Sequence, residues 1–302
     1  MDKKNKILIT GGLGFIFSYV TEYYVKKGFE VVVIDNLSDG SHPEIIDGSF
    51  KHYNMDISDK EVINIIMEEN PDYVIHAAAI SDVDYSIRES YDTLRKNIMG
   101  NLNLFEACNK LVNLKKFIYV STDEVYGECE HKKTETEIIF PKNPYSCSKA
   151  VGSLMRITYD NTYSSLKDKT AETRFCNVFG PRQDTRKILP LIKKSIDENF
   201  SIPIHNGGTG YREYIYVKNI PPALDLILEK GDRTYNITLN DGFTVNSLID
   251  KVQEVTNKKV LTHESNRPGM DMIYQMDNTR ILDLGWKPLY TFEEGIKEYI
   301  CQ

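Results

Sequence analysis

What this chain lacks narrows its class before any motif is read. Its six histidines form no HxxxH or HExxH pair, so no metal site is predicted. Its five cysteines (Cys108, Cys129, Cys147, Cys176 and Cys301) are scattered and odd in number, and none are paired at metal or redox spacing. That usage fits a reducing compartment. The net charge is −7 with no block of Lys and Arg. This argues against a nucleic-acid surface, because phosphate binding needs clustered cations. No apolar run approaches membrane-spanning length. The opening "MDKKNKILIT" lacks the apolar core of a signal peptide. The expectation is a cytoplasmic protein, with neither nucleic acid nor membrane as a partner. Low-complexity segments and internal repeats are absent too. With 41% apolar residues among 302, the composition can supply a sizeable core for one large domain or two modest ones.

What is present is an alternation. Short apolar runs rich in Val, Ile and Tyr take turns with helical stretches. "KILIT" leads into a helix ending near Gly28, and "EVVVID" is followed by a loop and then "KEVINIIMEEN". "DYVIHAAA" precedes one long helical region running through "NIMGNLNLFEACNKL", and "KKFIYVST" follows it. Near-continuous apolar strands between helices predict an α/β fold, a doubly wound parallel sheet covered on both faces. Its ligands lie beyond the carboxyl ends of the strands. The pattern weakens after about residue 180, where "FGPRQDTRK" and "HNGGTGYRE" read as loops. We therefore expect a nucleotide-binding domain over 1–180 and a smaller C-terminal substrate-binding region over 181–302. The chain is expected to re-cross between the two without a clean linker.

One further absence lies inside a motif. "ITGGLGFIFSYV" (9–20) is nearly a dinucleotide-binding fingerprint, with Gly11 and Gly14 at the first two glycine positions and Phe17 at the third. The first glycine makes the tight turn and the second lets backbone approach a pyrophosphate, which then meets the N–H groups opening the helix. Asp35 ends the second strand 21 residues after Gly14, where an acid bonds a ribose 2′-hydroxyl and repels a 2′-phosphate. NAD is therefore expected over NADP. Phe17 disturbs only helix–strand packing. Either the helix tilts or the ring finds a side gap, at about 1–3 kcal/mol for overpacking.

Two later segments carry chemistry. "VSTDEVYG" (120–127) follows a strand, and "YSCSK" (145–149) sets Tyr145 and Lys149 at i, i+4 on one helix face. An ammonium beside a phenol favours the phenolate, so Tyr145 is expected to have a lowered pKa and to serve as a base. A lone YxxxK is common by chance; here it follows Thr122 by 23 residues and stands behind a nucleotide loop.

At this point the chain resembles the extended short-chain dehydrogenase/reductases, in particular the nucleotide-sugar 4,6-dehydratase and epimerase branch. The resemblance rests on "TGGLGFI", "DISD", "HAAAISDVDYSI", "NIMGNLNLFEAC", "STDEVYG", "NPYSCSK", "NVFGP", "YREYIYV", "YNI", "RPGMD" and "LGWKP", which span nearly the whole chain. It implies a Rossmann domain that binds NAD. The cofactor residues it implies are Gly11, Gly14, Phe15, Ile16, Asp35, Asn36, Asp56, Ile57, Ala77, Ala78, Asn97, Tyr145 and Lys149.

Sugar 4-epimerases of this kind usually have small residues between the Ser/Thr and the "YG". This chain instead has Asp123 and Glu124, as in nucleoside-diphosphoglucose 4,6-dehydratases, and "RPGMD" with Tyr274 three residues on supports that group. The implied mechanism has three steps. Tyr145, assisted by Thr122 and Lys149, takes the 4-hydroxyl proton as hydride leaves C4. Glu124 then takes the C5 proton while Asp123 protonates the departing C6 oxygen. The hydride finally returns to C6.

The substrate is expected to be a nucleoside-diphosphate hexose, bound by Ser81, Val83, Asn177, Lys187, Arg212 and Arg267. Asp82, Tyr85, Lys96 and the pair Lys218-Asn219 stand where dehydratases commonly have other residues. The family usually pairs through helices like 91–111 and 147–163, which implies a homodimer. The rival readings are an NAD-dependent nucleotide-sugar 4-epimerase and a non-catalytic protein that binds sugar nucleotide or NAD.

Overall fold

A computed structural model describes residues 4–265 and 273–301. In chain order the first half runs β1 (Lys6–Thr10), α1 (Phe15–Lys26), β2 (Glu30–Asp35), β3 (Lys51–Asn54), α2 (Val62–Glu69), β4 (Tyr73–His76), α3 (Val83–Arg88), α4 (Ser90–Lys110), β5 (Lys116–Thr122) and α5 (Pro144–Thr162). The second half runs β6 (Thr170–Phe175), β7 (Asn177–Phe179), α6 (Ile188–Glu198), β8 (Ser201–His205), β9 (Tyr211–Tyr216), α7 (Ile220–Lys230) and β10 (Thr234–Ile237). It continues through β11 (Gly242–Thr244), α8 (Val245–Thr256), β12 (Leu261–Ser265), α9 (Thr279–Leu284) and α10 (Phe292–Cys301).

Seven strands form one sheet in the order β10-β6-β5-β4-β1-β2-β3, and every neighbouring pair is parallel. Strand alternation explains the unbroken apolar runs. Along β1, Ile7 and Ile9 join one buried cluster while Leu8 joins another on the opposite face. Both faces are covered, so neither needs polar residues. Strand order reverses beside β1, with β2 on one side and β4 on the other, and a crevice opens at such a switch point.

Two details differ from the sequence reading. The stretch between "EVVVID" and "KEVINIIMEEN" was expected to be a loop, yet it contains β3. That strand is short, lies at the sheet edge and has no fully buried residue, so it shows neither an apolar run nor a strong alternation. The long helical region is two helices, broken at Glu89 (φ −119°, ψ 54°).

Past β6 the chain builds two smaller sheets, β11-β9-β7 and β12-β8. It also returns: β10 pairs with β6, Thr234–Ile237 against Glu172–Phe175. Among the described residues no helix is long and apolar enough to cross a membrane.

Candidate active site

The residues expected to hold the dinucleotide gather at the carboxyl ends of the strands. Gly11 follows β1 in the left-handed region (φ +68°), and a Cβ there would lie 2.8 Å from the Ala78 backbone. Both constraints require glycine. A Cβ on Gly12 would meet Thr21 Oγ1 and Val33 at 2.9 Å, and the Thr21 hydroxyl donates to Gly12 O at 2.9 Å. Gly12 thus permits the close helix approach that the fingerprint assigns to its third glycine. Phe17 is therefore tolerated. Its ring is 6% exposed and packs in the core beside Phe175, with centroids 6.4 Å apart; it fills a side gap.

Helix α1 opens at Gly14 with no side-chain cap and no acid in its first turn. The N–H groups of Phe15 and Ile16 begin a helix and have no carbonyl within it to bond. A pyrophosphate is the kind of group that such an end accepts. Asp35 is buried, and its carboxylate accepts from Leu13 N at 3.0 Å, Leu37 N at 2.9 Å and the Ser41 hydroxyl at 3.1 Å. Of about four acceptor positions on a carboxylate, one remains for a hydroxyl.

Asn36 donates to Asp56 at 3.4 Å. Ile57 fits against Gly100, where a Cβ would come within 2.4 Å of it. The N–H groups of Ala77 and Ala78 donate to Thr10 Oγ1 at 3.1 and 3.2 Å. Asn97 is bonded to both backbone groups of Ile80 and donates to Ser148 Oγ at 2.9 Å. It therefore ties the loop after β4 to α5.

The catalytic candidates come from two segments brought side by side. Thr122 ends β5, and Asp123 and Glu124 begin the short turn after it. The Thr122 hydroxyl donates to Asp123 Oδ1 at 3.1 Å and accepts from Glu124 N at 3.3 Å. Asp123 is only 7% exposed. Burial first, and then the Glu124 charge, push its carboxyl up to about 7, with Arg212 opposing. Glu124 Oε2 accepts from Asn143 Nδ2 at 2.8 Å. The turn thus makes one of two adjacent carboxyls a proton donor near neutral pH and gives the other an amide donor suited to a carboxylate.

The expected lowering of Tyr145 does not occur. Burial raises its phenol well above the ordinary value, the Glu124 and Asp123 charges raise it further, and only the Thr122 hydrogen bond opposes them. Lys149 is aimed elsewhere: its ammonium donates to Val120 O at 2.9 Å and sits over the Tyr119 ring at 5.4 Å. Burial pushes that ammonium down to about 8 against the pull of Glu172.

Some of the site has no motif of its own. Asn143 caps α5, and the signal for it is Asn followed by Pro144 at the first helical position. A buried chain also links the glycine turn to α5. Thr10 Oγ1 bonds His76 Nδ1 at 2.8 Å, His76 Nε2 bonds Asn101 Oδ1 at 2.9 Å, and Asn101 reaches Ser148 O at 3.4 Å. Thr10 Oγ1 accepts two backbone N–H groups, so its own hydrogen goes to Nδ1 and Nε2–H goes to Asn101. That is a neutral imidazole, and burial indeed lowers His76 to about 3.

The substrate candidates fall into two groups. Arg212, on β9, stacks on Tyr274 at 4.5 Å and acts electrostatically on Asp123. Asn177, on neighbouring β7, donates to Glu213 O at 3.4 Å. The second group is Ser81 and Val83, flanking Asp82. Asp82 caps α3, pairs with Arg186 at 2.9 Å and feels the charge of Lys187. Arg267 and "RPGMD" lie outside the described residues.

The sequence model of the family described as GDP-mannose 4,6 dehydratase matches residues 8–299. The dTDP-glucose 4,6-dehydratase of Salmonella typhimurium is 33% identical over 333 residues, 98% of this chain and 91% of that protein. The chain spans about half the length of the trifunctional Arabidopsis thaliana relatives that it also matches. Among solved structures, a UDP-glucose 4-epimerase of Thermotoga maritima with UDP-glucose superposes with a TM-score of 0.90 at 33% identity, covering 98% of this chain and 97% of that one. A dTDP-glucose 4,6-dehydratase of Bacillus anthracis in complex with NAD superposes with a TM-score of 0.88 at 26% identity, covering 98% and 96%.

Proposed function

The chain belongs to the GDP-mannose 4,6-dehydratase family, and we propose that it is an NAD-dependent lyase that converts a nucleoside-diphosphate hexose to the 4-keto-6-deoxy sugar nucleotide. The observation that carries this reading is the pair Asp123 and Glu124 on one turn, the first a buried carboxyl raised to about 7 and the second hydrogen-bonded by Asn143 Nδ2 at 2.8 Å. Elimination of water needs such a pair, whereas epimerisation at C4 leaves it idle.

The glycine cradle fits NAD. Gly11 has no room for a side chain, α1 opens without a cap, and Asp35 keeps an acceptor position. When bound, NAD supplies the hydride acceptor for C4 and the donor for C6. The chain's own groups move the protons. Tyr145, bonded by Thr122 and one helical turn from Lys149, is assigned the 4-hydroxyl proton. It takes that proton as the phenolate, so its own buried phenol proton has to leave to solvent first, against the Glu124 and Asp123 charges that raise it. Oxidation makes the C5 proton acidic, and the Glu124 carboxylate takes it. Asp123 gives its proton to the C6 oxygen as that C–O bond breaks, and water leaves. The proton held by Glu124 returns to C5 when hydride reaches C6.

Arg212, Asn177, Ser81, Val83 and Lys187 are assigned to the sugar nucleotide. Arg212 and Lys187 supply charge for its diphosphate. Residues 1–180 are assigned the NAD and catalytic roles and 181–302, as the smaller sugar-nucleotide-binding region, the cations for the diphosphate. A homodimer through α4 and α5 is supported by apolar side chains left outside on these packed helices: Tyr91 is 80% exposed and Leu154 58%. Five free cysteines accord with a cytoplasmic setting.

Superposition on a UDP-glucose 4-epimerase with a TM-score of 0.90 favours a second reading, C4 epimerisation with Thr122, Tyr145 and Lys149 alone. Incubation with a panel of nucleoside-diphosphate hexoses, read by mass spectrometry, separates the two. A product lighter by one water is expected. A product of unchanged mass but altered sugar makes the chain an epimerase, and unaltered sugar throughout leaves only a binding protein.

A further inference from the structure

We propose that Asn143 is a positioning residue for elimination: one amide group caps the helix that carries Tyr145 and, through its other end, holds the Glu124 carboxylate. The inference rests on the dehydratase reading and adds a residue to it. Asn143 Oδ1 accepts from Ser146 N at 2.8 Å, and Ser146 Oγ accepts from Asn143 N at 3.2 Å, so the two close a reciprocal box at the start of α5. This box decides how the amide is turned. Were its ends exchanged, the NH2 group would face the Ser146 N–H, donor against donor. The oxygen therefore belongs to the helix, and Nδ2 is presented to Glu124 Oε2, 2.8 Å away.

Thr122 holds Glu124 at its backbone N–H and Asn143 holds it at its carboxylate. The reason is geometric. Tyr145 and Glu124 act on adjacent carbons of one sugar ring but come from separate segments, α5 and the turn after β5. Only a bridge between those segments fixes their spacing. Asn143 is two residues from Tyr145, and Pro144 between them locks the backbone.

The test is Asn143→Ser. Serine is as good a cap as asparagine, but its hydroxyl is too short to serve both partners. In parent and variant, turnover of nucleoside-diphosphoglucose is followed by product mass and by the absorbance of enzyme-bound NADH. Loss of a hydrogen bond to a charged group predicts a drop in dehydration of about tenfold or more. Oxidation at C4 should be affected less, so bound NADH accumulates. Asn143→Asp keeps the cap and sets like charges together, and its loss should be larger. A cycle of Asn143→Ser with Glu124→Gln in thermal unfolding should be non-additive, and this readout does not depend on turnover. Dehydration at the parental rate in Asn143→Ser, or oxidation and dehydration falling together with additive melting shifts, overturns the inference. A parent that loses no water from its substrate overturns the dehydratase reading instead, while the unfolding cycle still decides the bridge.

Discussion

The two ends of the cleft are built differently. At the cofactor end the working groups are mostly backbone: a glycine turn, the opening of α1, and one buried acid already held by three donors. At the catalytic end they are side chains whose charges compete. Asp123, Tyr145 and Lys149 all sit in settings where burial outweighs every other influence on their protons. A backbone site tolerates side-chain change nearby, as Phe17 illustrates. A side-chain site does not, because the Glu124 charge acts on the protons of both Asp123 and Tyr145.

Three substitutions test that contrast. Tyr145→Phe should have the largest effect, because it removes the phenolic oxygen that, as phenolate, is assigned the 4-hydroxyl proton. Loss of a general base costs about 10²–10⁴-fold in rate, with the fold retained, and steady-state assay beside circular dichroism checks both. Near-normal turnover would remove Tyr145 from the mechanism and weaken the contrast at its strongest point.

Phe17→Gly completes the glycine fingerprint at the other end. The ring is packed against Phe175 and leaves a cavity when removed, for which phenylalanine truncation costs about 3–5 kcal/mol. The melting temperature should therefore fall, while calorimetric NAD affinity of the folded protein changes little. Affinity tightened tenfold with stability kept would mean that the ring strains the helix after all.

Asp123→Asn has a definite pH signature. The folded carboxyl holds its proton up to about 7, against 3.8 as the ordinary value. As pH rises through this window, the unfolded state releases the proton first, and the folded state loses stability. The amide that replaces the carboxyl carries no such charge, so the variant should melt above the parent at pH 7 and level with it below about pH 4. At about 1.4 kcal/mol per unit, the gain is bounded by roughly 4 kcal/mol. Dehydration should be lost, and parental activity should fall as pH rises past 7, where the acid is spent. Equal melting curves at neutral pH would show that Asp123 is solvated and ionised.

Legibility differed between the same two ends. β1 and β2 were readable to the residue, because burial on both faces writes an unbroken apolar run. β3 was not, because an edge strand with no fully buried residue writes no such run. The glycine loop, Asp35, Tyr145 and Lys149 stood out by local spacing, while Thr122 and the carboxyl pair were singled out only by the family resemblance. Asn143 did not, because its partner lies 19 residues away. Nor did the buried path through His76, which joins residues 25 and 66 apart.

By itself the sequence determined what repeats locally: alternating elements, a turn that only glycine can make, and a helix face carrying Tyr145 and Lys149. These follow from periodicity and backbone sterics, which a short stretch of chain specifies alone. Tertiary structure decided the rest. It placed Gly12 rather than residue 17 under α1, turned Lys149 toward Val120, raised Tyr145 where a lowering was expected, and bridged Glu124 to the cap of α5. The physical reason is that proton affinity and side-chain direction depend on what surrounds a group in space. A spacing of four residues puts Lys149 near Tyr145; only the sheet beneath them settles which neighbour the ammonium bonds.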